Sequence, residues 1–220
     1  MGIRLKHGFS AEDFTQTKEI WLSKGEVFLY EGDAGKQHCY LVKSGRLDVR
    51  LISSTGHETL LYMLKEGDLV GELAMFGSDV RTATVVANTP VCLFEIHRSE
   101  IKKNMSNSRF LERLAAHFLD RYLKTHDVVC RLGQPNIGMK LCYYFQSLVE
   151  QHEDAAQKGA QVSVRLPSHA TLGKLLSCQR ESVTRELKKL DQAGVVKRIK
   201  GADYMLDMNK VNLYLGDMLE

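Results

Sequence analysis

Short apolar runs separated by turn residues fill the first part of the chain, from about Ile20 to Ile96. Runs begin at Val27, Leu47 and Thr82, and glycine-containing turns interrupt the chain about every ten residues. Regularly spaced short strands of this kind are typical of antiparallel all-β folds. The pattern therefore predicts a β-sandwich or jelly roll.

A different periodicity follows between Phe110 and Leu132. Apolar or small residues recur there in steps of four and three, and we call this set the 4-3 stripe: Leu111, Ala115, Phe118, Tyr122, Thr125, Val129 and Leu132. Such spacing is typical of a coiled coil. It predicts a long helix that pairs with its copy in a homodimer. The alternative is a single amphipathic helix that lies on its own β-domain.

Helix-breaking residues end this segment at Gly133 and Pro135, and Asn136 is a suitable cap for a next helix from Ile137 to about Gln151. A polar stretch, 153–159, is predicted to be a loop. The residues from Val162 onward then predict an edge strand that ends at Pro167.

The last part of the chain has the spacing of a helix-turn-helix. Ser168 is a good N-cap for a short helix from His169 to Leu175, and a turn at Ser177 precedes a second helix from Gln179 to about Ala193. Gly173 would permit close helix contact. A wing is expected from Val195 to Leu206.

Composition limits the class of protein. A chain of 220 residues with 44% hydrophobic residues fits two soluble domains, and no segment approaches the roughly 20 apolar residues of a membrane span. The first 14 residues lack an apolar export signal, so a cytoplasmic location without membrane contact is expected. The five cysteines form no C-x-x-C pair and are interpreted as packing thiols, and no metal is expected.

Charge is unevenly distributed. The segment from Arg165 to Lys200 holds nine basic and three acidic residues, so it carries +6 of a chain whose formal net charge is +3. A basic block of this kind is typical of a protein that binds the phosphate backbone of DNA. On charge alone, a solvated helix face is an equal alternative.

Two short motifs carry candidate ligand chemistry. The first runs from Gly71 through Glu72 and Leu73, and the second begins at Arg81 and Thr82. Backbone N–H groups after a glycine bind anions, an arginine neutralises a phosphate, and a carboxylate accepts hydrogen bonds from a ribose hydroxyl. Together the motifs predict an anion-binding pocket with a sugar contact.

The second helix of the helix-turn-helix carries candidate base contacts. In the major groove, arginine donates hydrogen bonds to guanine and glutamate accepts a hydrogen bond from cytosine. The residues predicted to contact base edges are Gln179, Arg180, Glu181 and Arg185. An ordinary charged helix start with an ion pair between Glu181 and Arg185 is the alternative. Ser168, His169 and Lys188 are better suited to phosphates.

The sequence G-E-L-A followed by R-T-A-T resembles the phosphate-binding cassette of cyclic-nucleotide-binding domains, and R-E-x-x-x-R resembles a known recognition helix. Over nearly its whole length the chain resembles the cyclic AMP receptor protein/FNR superfamily of bacterial regulators. This resemblance implies an α+β fold with an N-terminal β jelly roll, a long dimerisation helix and a C-terminal winged helix-turn-helix. The implied domains are residues 1–109, 110–134 and 135–220.

The resemblance also implies residue roles. Gly71, Glu72 and Leu73 would make backbone and ribose contacts, while Arg81 and Thr82 would bind the cyclic phosphate. Thr125 and His126 correspond to polar residues that meet the adenine, although a serine is expected where His126 stands. The alternatives are that Thr125 bonds to its own helix and that His126 is solvated. At Ser177 many relatives have glycine.

The function implied is a dimeric transcription regulator, gated by cyclic AMP or a related cyclic nucleotide, that binds double-stranded DNA at a palindromic TGTGA-like site and works with RNA polymerase. One alternative keeps the fold but senses cyclic di-GMP, a haem-borne gas or redox state. Another is a regulatory module that docks protein instead of DNA. No nucleophile, base or metal set is assembled by the motifs, so an enzyme is not expected.

Overall fold

A computed structural model of the chain describes residues 8–15, 17–35, 37–77, 79–150 and 160–216. Its strands are β1 (Lys18–Leu22), β2 (Val27–Leu29), β3 (His38–Ser44), β4 (Leu47–Ile52), β5 (Glu58–Leu64), β6 (Leu69–Val70), β7 (Thr84–Ala87), β8 (Val91–His97), β9 (Gln161–Arg165), β10 (Val196–Lys200) and β11 (Asp203–Asp207). Its helices are α1 (Arg98–Asn104), α2 (Ser108–Leu132), α3 (Ile137–Glu150), α4 (His169–Leu176), α5 (Arg180–Gln192) and α6 (Met208–Gly216). The chain divides into two compact units between Thr125 and His126, within α2.

The first unit contains two four-stranded antiparallel sheets, as the run-and-turn pattern predicts. One has the strand order β1-β8-β3-β6 and the other β2-β7-β4-β5. Within each sheet, β3 pairs with β8 and β4 pairs with both β5 and β7. These crossovers between non-consecutive strands confirm the predicted jelly-roll class of fold.

Two apolar clusters hold this unit together. Alternating residues of the strands form the inner cluster, which includes Leu47, Val85 and Leu93. The second cluster joins strand residues such as Leu41 to the helices through Ile101 and Phe110. Because successive side chains of a strand point to opposite faces, the sheet containing β3 and β8 contributes to both clusters.

Two different faces of the long helix α2 are apolar. In the first unit, Phe110, Leu114, His117 and Arg121 are buried, each about one helical turn from the next. The 4-3 stripe lies on another face, where Leu111, Ala115, Tyr122, Thr125 and Val129 are exposed and Phe118 packs on Phe76. Apart from Phe118, the residues with which the helix covers its own β-domain therefore lie outside the predicted stripe, and a homodimer stays a prediction. Among the described helices, none is long and apolar enough to cross a bilayer.

The second unit holds the predicted helix-turn-helix and wing. Asn136 caps α3 because its Oδ1 accepts a hydrogen bond from the N–H of Met139 at 2.9 Å. β9 lies at the edge of a three-stranded sheet ordered β10-β11-β9, and the hairpin of β10 and β11 forms the wing. The loop predicted at 153–159 lies outside the described residues.

Two small residues, Gly173 and Ser177, fit the geometry of the turn between α4 and α5. A Cβ at Gly173 would lie 2.8 Å from the carbonyl oxygen of Cys178, so a larger residue would push the turn away. Ser177 has φ 51° and ψ 52°, which is the left-handed region. It is the one residue other than glycine with positive φ among the residues that the structure describes. That conformation costs a serine about 1 kcal/mol.

Candidate ligand pocket and DNA-binding surface

A hollow that is open to solvent lies in the first unit beside the turn after β6. Its walls are apolar residues of the jelly roll, among them Leu29, Val49 and Leu64. Five predicted ligand residues line it together: Gly71, Glu72, Leu73, Arg81 and Thr82. An apolar hollow with a few convergent polar groups is the usual form of a small-molecule site.

Arg81 is the buried cation of this pocket, only 7% exposed. Its Nη1 donates to the carbonyl oxygen of Gly71 at 2.6 Å, and its Nη2 donates to the carbonyl oxygen of His38 at 3.0 Å. The guanidinium carbon also lies 5.9 Å from the centre of the Tyr40 ring. Two backbone acceptors thus hold the side chain, but neither neutralises its charge. A buried cation in this condition is suited to an anionic ligand.

The turn that follows Gly71 brings a second polar group to the pocket. Gly71 has φ 74°, and a Cβ there would lie 2.3 Å from Nη1 of Arg81, so the position requires glycine. A short 3-10 turn follows over Glu72–Met75. Glu72 is 5% exposed, and its Oε1 lies 3.1 Å from Nε2 of His117. The pocket therefore presents a buried carboxylate beside a buried guanidinium.

Arg121 is a pocket residue that the sequence analysis missed. It is buried on α2, and its guanidinium carbon lies 4.9 Å from the centre of the Tyr62 ring. Its Nη2 is 3.4 Å from Oδ1 of Asp68, but within the described part of the chain neither terminal nitrogen makes a hydrogen bond. Burial raises the pKa of Tyr62 to about 12. Nη1 of Arg121 lies 3.6 Å from Oδ2 of Asp120, so Arg121 is a second buried guanidinium of the pocket, with two carboxylates at ion-pair distance.

The remaining predicted ligand residues have different positions. Thr82 and Leu73 line the pocket with exposed side chains. Thr125 is exposed, and its Oγ1 donates to the carbonyl oxygen of Arg121 at 2.9 Å. This hydroxyl thus bonds to the preceding turn of its own helix, as the alternative to ligand contact predicts. His126 is also exposed, with its ring 3.7 Å from Sγ of Cys130. Contact of these two residues with a ligand stays a prediction.

The recognition helix α5 separates its apolar and charged faces in the second unit. Val183, Leu187 and Leu190 are buried. The predicted readers are exposed, and so is the phosphate candidate on the same helix: Gln179, Arg180, Glu181, Arg185 and Lys188. Among the residues described, Arg185 contacts Oγ of Ser182 at 3.3 Å and forms no ion pair with Glu181. Their charged groups are therefore available for base edges and phosphates.

Two further candidates lie at the start of α4. Ser168 caps this helix, since its Oγ accepts from the N–H of Thr171 at 3.1 Å. Nδ1 of His169 lies 2.8 Å from Oγ1 of Thr184, which itself donates to the carbonyl oxygen of Arg180. That hydroxyl consequently accepts from Nδ1–H, so Nε2 is the atom of His169 that would take up a proton.

The electrostatic surroundings of His169 favour its neutral form. Burial lowers its pKa below the usual value of 6.5, and the positive charges of Arg180 and Arg198 lower the pKa further. A phosphate placed beside this ring would act in the opposite direction because it favours the imidazolium.

Three of the five cysteines have the environment of packing residues. Cys39, Cys92 and Cys142 are buried thiols, and burial raises the pKa of Cys142 to about 12. A thiol with so high a pKa has little thiolate at neutral pH and reacts slowly. Over the described ranges, no three His, Cys, Asp or Glu side chains are grouped so as to hold a metal ion.

Comparison with known proteins identifies both halves of the chain. Residues 19–108 match the cyclic nucleotide-binding domain family, and residues 139–212 match the Crp-like helix-turn-helix domain family. The cAMP-activated global transcriptional regulator CRP of Escherichia coli is 26% identical over 173 residues, which cover 77% of this chain and 80% of the relative.

Solved structures of the same fold include CooA from Carboxydothermus hydrogenoformans, in mutant form, with a TM-score of 0.75, 17% identity, and coverage of 91% of this chain and 88% of the other. They also include the c-di-GMP responsive regulator CLP of Xanthomonas campestris, with a TM-score of 0.68, 22% identity, and coverage of 86% and 93%.

A cyclic-nucleotide-binding β-domain joined to a winged helix-turn-helix defines a ligand-responsive transcription regulator. The chain belongs to the cyclic AMP receptor protein/FNR superfamily. The resemblance inferred from G-E-L-A, R-T-A-T and R-E-x-x-x-R is thereby confirmed, together with the fold class.

Proposed function

We propose that the protein is a cytoplasmic homodimer that binds a cyclic nucleotide, cyclic AMP in preference, and then binds a palindromic TGTGA-like DNA site. The regulator would act on transcription through RNA polymerase. It is not expected to be an enzyme, and no metal is required. Binding of the nucleotide would favour one arrangement of the two subunits, which sets the distance between the two recognition helices.

The observation that carries this proposal is the buried guanidinium of Arg81. Among the described residues, the hydrogen bonds of this guanidinium go to two backbone carbonyl oxygens, and an anionic ligand would offset the cost of burying its charge. The turn that follows Gly71 lines the same hollow, and its backbone N–H groups would suit a phosphate. Glu72 would accept a hydrogen bond from the ribose, and Arg121 would donate to the ligand from α2. Thr82 would assist Arg81 at the phosphate.

The exposed 4-3 stripe supports the dimer. Tyr122 and Val129 are both 65% exposed on a helix whose other face is already packed. Large apolar side chains repeated at helical spacing on a surface mark a contact with another chain. In the dimer, Thr125 and His126 would come close enough to a bound nucleotide to contact its base.

The ligand claim is tested by calorimetric titration of the wild type, Arg81→Gln and Arg50→Gln with cyclic AMP, cyclic GMP and cyclic di-GMP. Arg50 is a matched control because it is largely buried and pairs with Asp48 and Glu58, outside the pocket lining. We expect micromolar binding of one nucleotide, weakened about 100-fold in Arg81→Gln and unchanged in Arg50→Gln. Failure of all three nucleotides to bind the wild type would refute the claim.

The same calorimetric titrations also distinguish cyclic AMP from cyclic di-GMP as the effector of this fold. CLP is a c-di-GMP responsive regulator with the same architecture. If only cyclic di-GMP binds here, and Arg81→Gln abolishes that binding, the pocket is confirmed and the preferred effector is corrected.

The DNA claim is tested by a mobility shift with a palindromic TGTGA-like duplex at low and moderate salt. Specific binding that increases with nucleotide, decreases steeply with salt and is lost in Arg180→Ala is expected. Absence of a shift at low salt in the presence of the bound nucleotide would favour a module that docks protein.

A further inference from the structure

The carboxylate of Glu72 has a partner on the long helix. Its Oε1 lies 3.1 Å from Nε2 of His117, which is fully buried. An ionised carboxylate accepts hydrogen bonds and cannot donate, so Nε2 of His117 carries the hydrogen of this contact. Hydrogen bonds to a charged acceptor are among the stronger ones in proteins. His117 thus controls the direction in which Glu72 points.

The ring of His117 is itself held in place. It lies edge-on to Phe9, with ring centres 6.1 Å apart, and edge-on to Phe118, with ring centres 5.8 Å apart. Phe9 also packs edge-on against Phe110 at the start of α2. Side chains in a close-packed core have few accessible rotamers. The orientation of the imidazole, and of the hydrogen bond it donates, is therefore set by the core.

His117 and Arg121 are one helical turn apart on the same buried face of α2. Arg121 lines the pocket directly, whereas His117 reaches it through Glu72. We propose that His117 is a positioning residue: by holding Oε1 of Glu72, it turns Oε2 toward the one free hydroxyl of a 3′,5′-cyclic nucleotide, the 2′-hydroxyl. This inference rests on the proposed cyclic-nucleotide function. Recognition of the sugar is then tied to the helix that carries the 4-3 stripe.

A merely structural role for His117 would change stability and overall affinity, but it would not change selectivity for one hydroxyl group. The informative quantity is therefore the ratio of dissociation constants for 2′-deoxy cyclic AMP and cyclic AMP. Calorimetric titration of the wild type, H117Q and H117L with both nucleotides would measure this ratio. Gln can donate a hydrogen bond to Glu72 through its amide, and Leu cannot.

The wild type is expected to bind cyclic AMP about 10 to 100 times more tightly than the 2′-deoxy analogue, because a hydrogen bond to a charged group is lost. In H117L the ratio should fall below about 3, and H117Q should keep most of the wild-type selectivity. The control is I101V, which removes one methylene from the core cluster that also contains Phe9 and Phe110. It should retain the wild-type ratio.

Each outcome bears on a different claim. If the wild type binds no cyclic nucleotide in the titration series, the proposed function and this inference both fail. If the wild type binds but does not discriminate against the 2′-deoxy analogue, or if H117L discriminates as well as the wild type, only the role of His117 is overturned. Should H117L fail to fold, H117N replaces it, because its amide is too short to reach Glu72, and the same loss of selectivity is expected.

Discussion

The sharpest expectation concerns the exposed stripe of α2, and the change that tests it is Val129→Asp. Val129 is 65% exposed in the single chain and lies two helical turns from Tyr122 on the same face. In the proposed dimer the partner's helix covers this side chain. Aspartate removes the apolar contact and places a carboxylate where water is excluded. The dimer should therefore weaken while the fold of each subunit is retained.

The size of the effect follows from the exposed fraction. Full burial of a valine side chain contributes about 1.5 kcal/mol, so burial of the exposed two thirds contributes about 1 kcal/mol. Twofold symmetry applies the loss twice, which gives about 2 kcal/mol before the cost of desolvating two carboxylates. The dissociation constant of the dimer should rise at least about 30-fold.

Sedimentation equilibrium over a range of protein concentrations measures this constant. The matched control is Leu213→Asp, because Leu213 is 59% exposed on α6 and is not part of the 4-3 stripe. Val129→Leu should keep the dimer. An unchanged dissociation constant for Val129→Asp, or an equal loss in Leu213→Asp, would show that the stripe is not the contact between subunits.

Three further expectations concern the second unit. Ser177→Gly should raise the free energy of unfolding by about 0.5 to 1 kcal/mol in chemical denaturation, because the left-handed strain disappears, and no gain would contradict the turn geometry. DNA affinity should increase as the pH falls from 8 to 6. The lowered pKa leaves His169 neutral in the free protein, and a DNA phosphate beside it would favour its protonation. Binding titrations with His169→Asn should therefore show a weaker pH dependence. Arg180→Ala should lower the binding free energy by about 1 to 3 kcal/mol for the specific DNA site alone. Lys188→Ala should weaken binding to all DNA sequences and reduce the slope of log affinity against log salt concentration by about 1. Equal effects of the two variants on all sequences would count against base contact by Arg180.

Much of the fold is local enough to be predicted. Turn residues separate the strands of the first unit, and the caps Asn136 and Ser168 mark the starts of two helices, as expected. These signals act within a few residues of the chain, so a single sequence contains them. The pairing of β3 with β8, whose paired residues are 48 to 59 positions apart, needed the structure, although the resemblance implied the fold.

The ligand pocket could be predicted only in part. Its motif residues, from Gly71 to Thr82, are close in sequence, and a phosphate site has a recognisable pattern there. Arg121 and His117 lie about 40 residues away on a helix. Charged and polar residues on a helix surface are usually solvated, so nothing local distinguished them from ordinary surface residues.

By itself the sequence determined the order of the elements, the turn at Gly71, the helix-turn-helix and the family, because each depends on residue types at short spacing. Only the tertiary structure decided which face of α2 covers the β-domain. That helix carries two stripes with nearly the same period, and the buried one includes His117 and Arg121 because Glu72 and Asp68 of the β-domain lie opposite them. The more apolar stripe is the exposed one. Partners that lie far apart in the chain determine which face is buried, and helical periodicity contains no information about them.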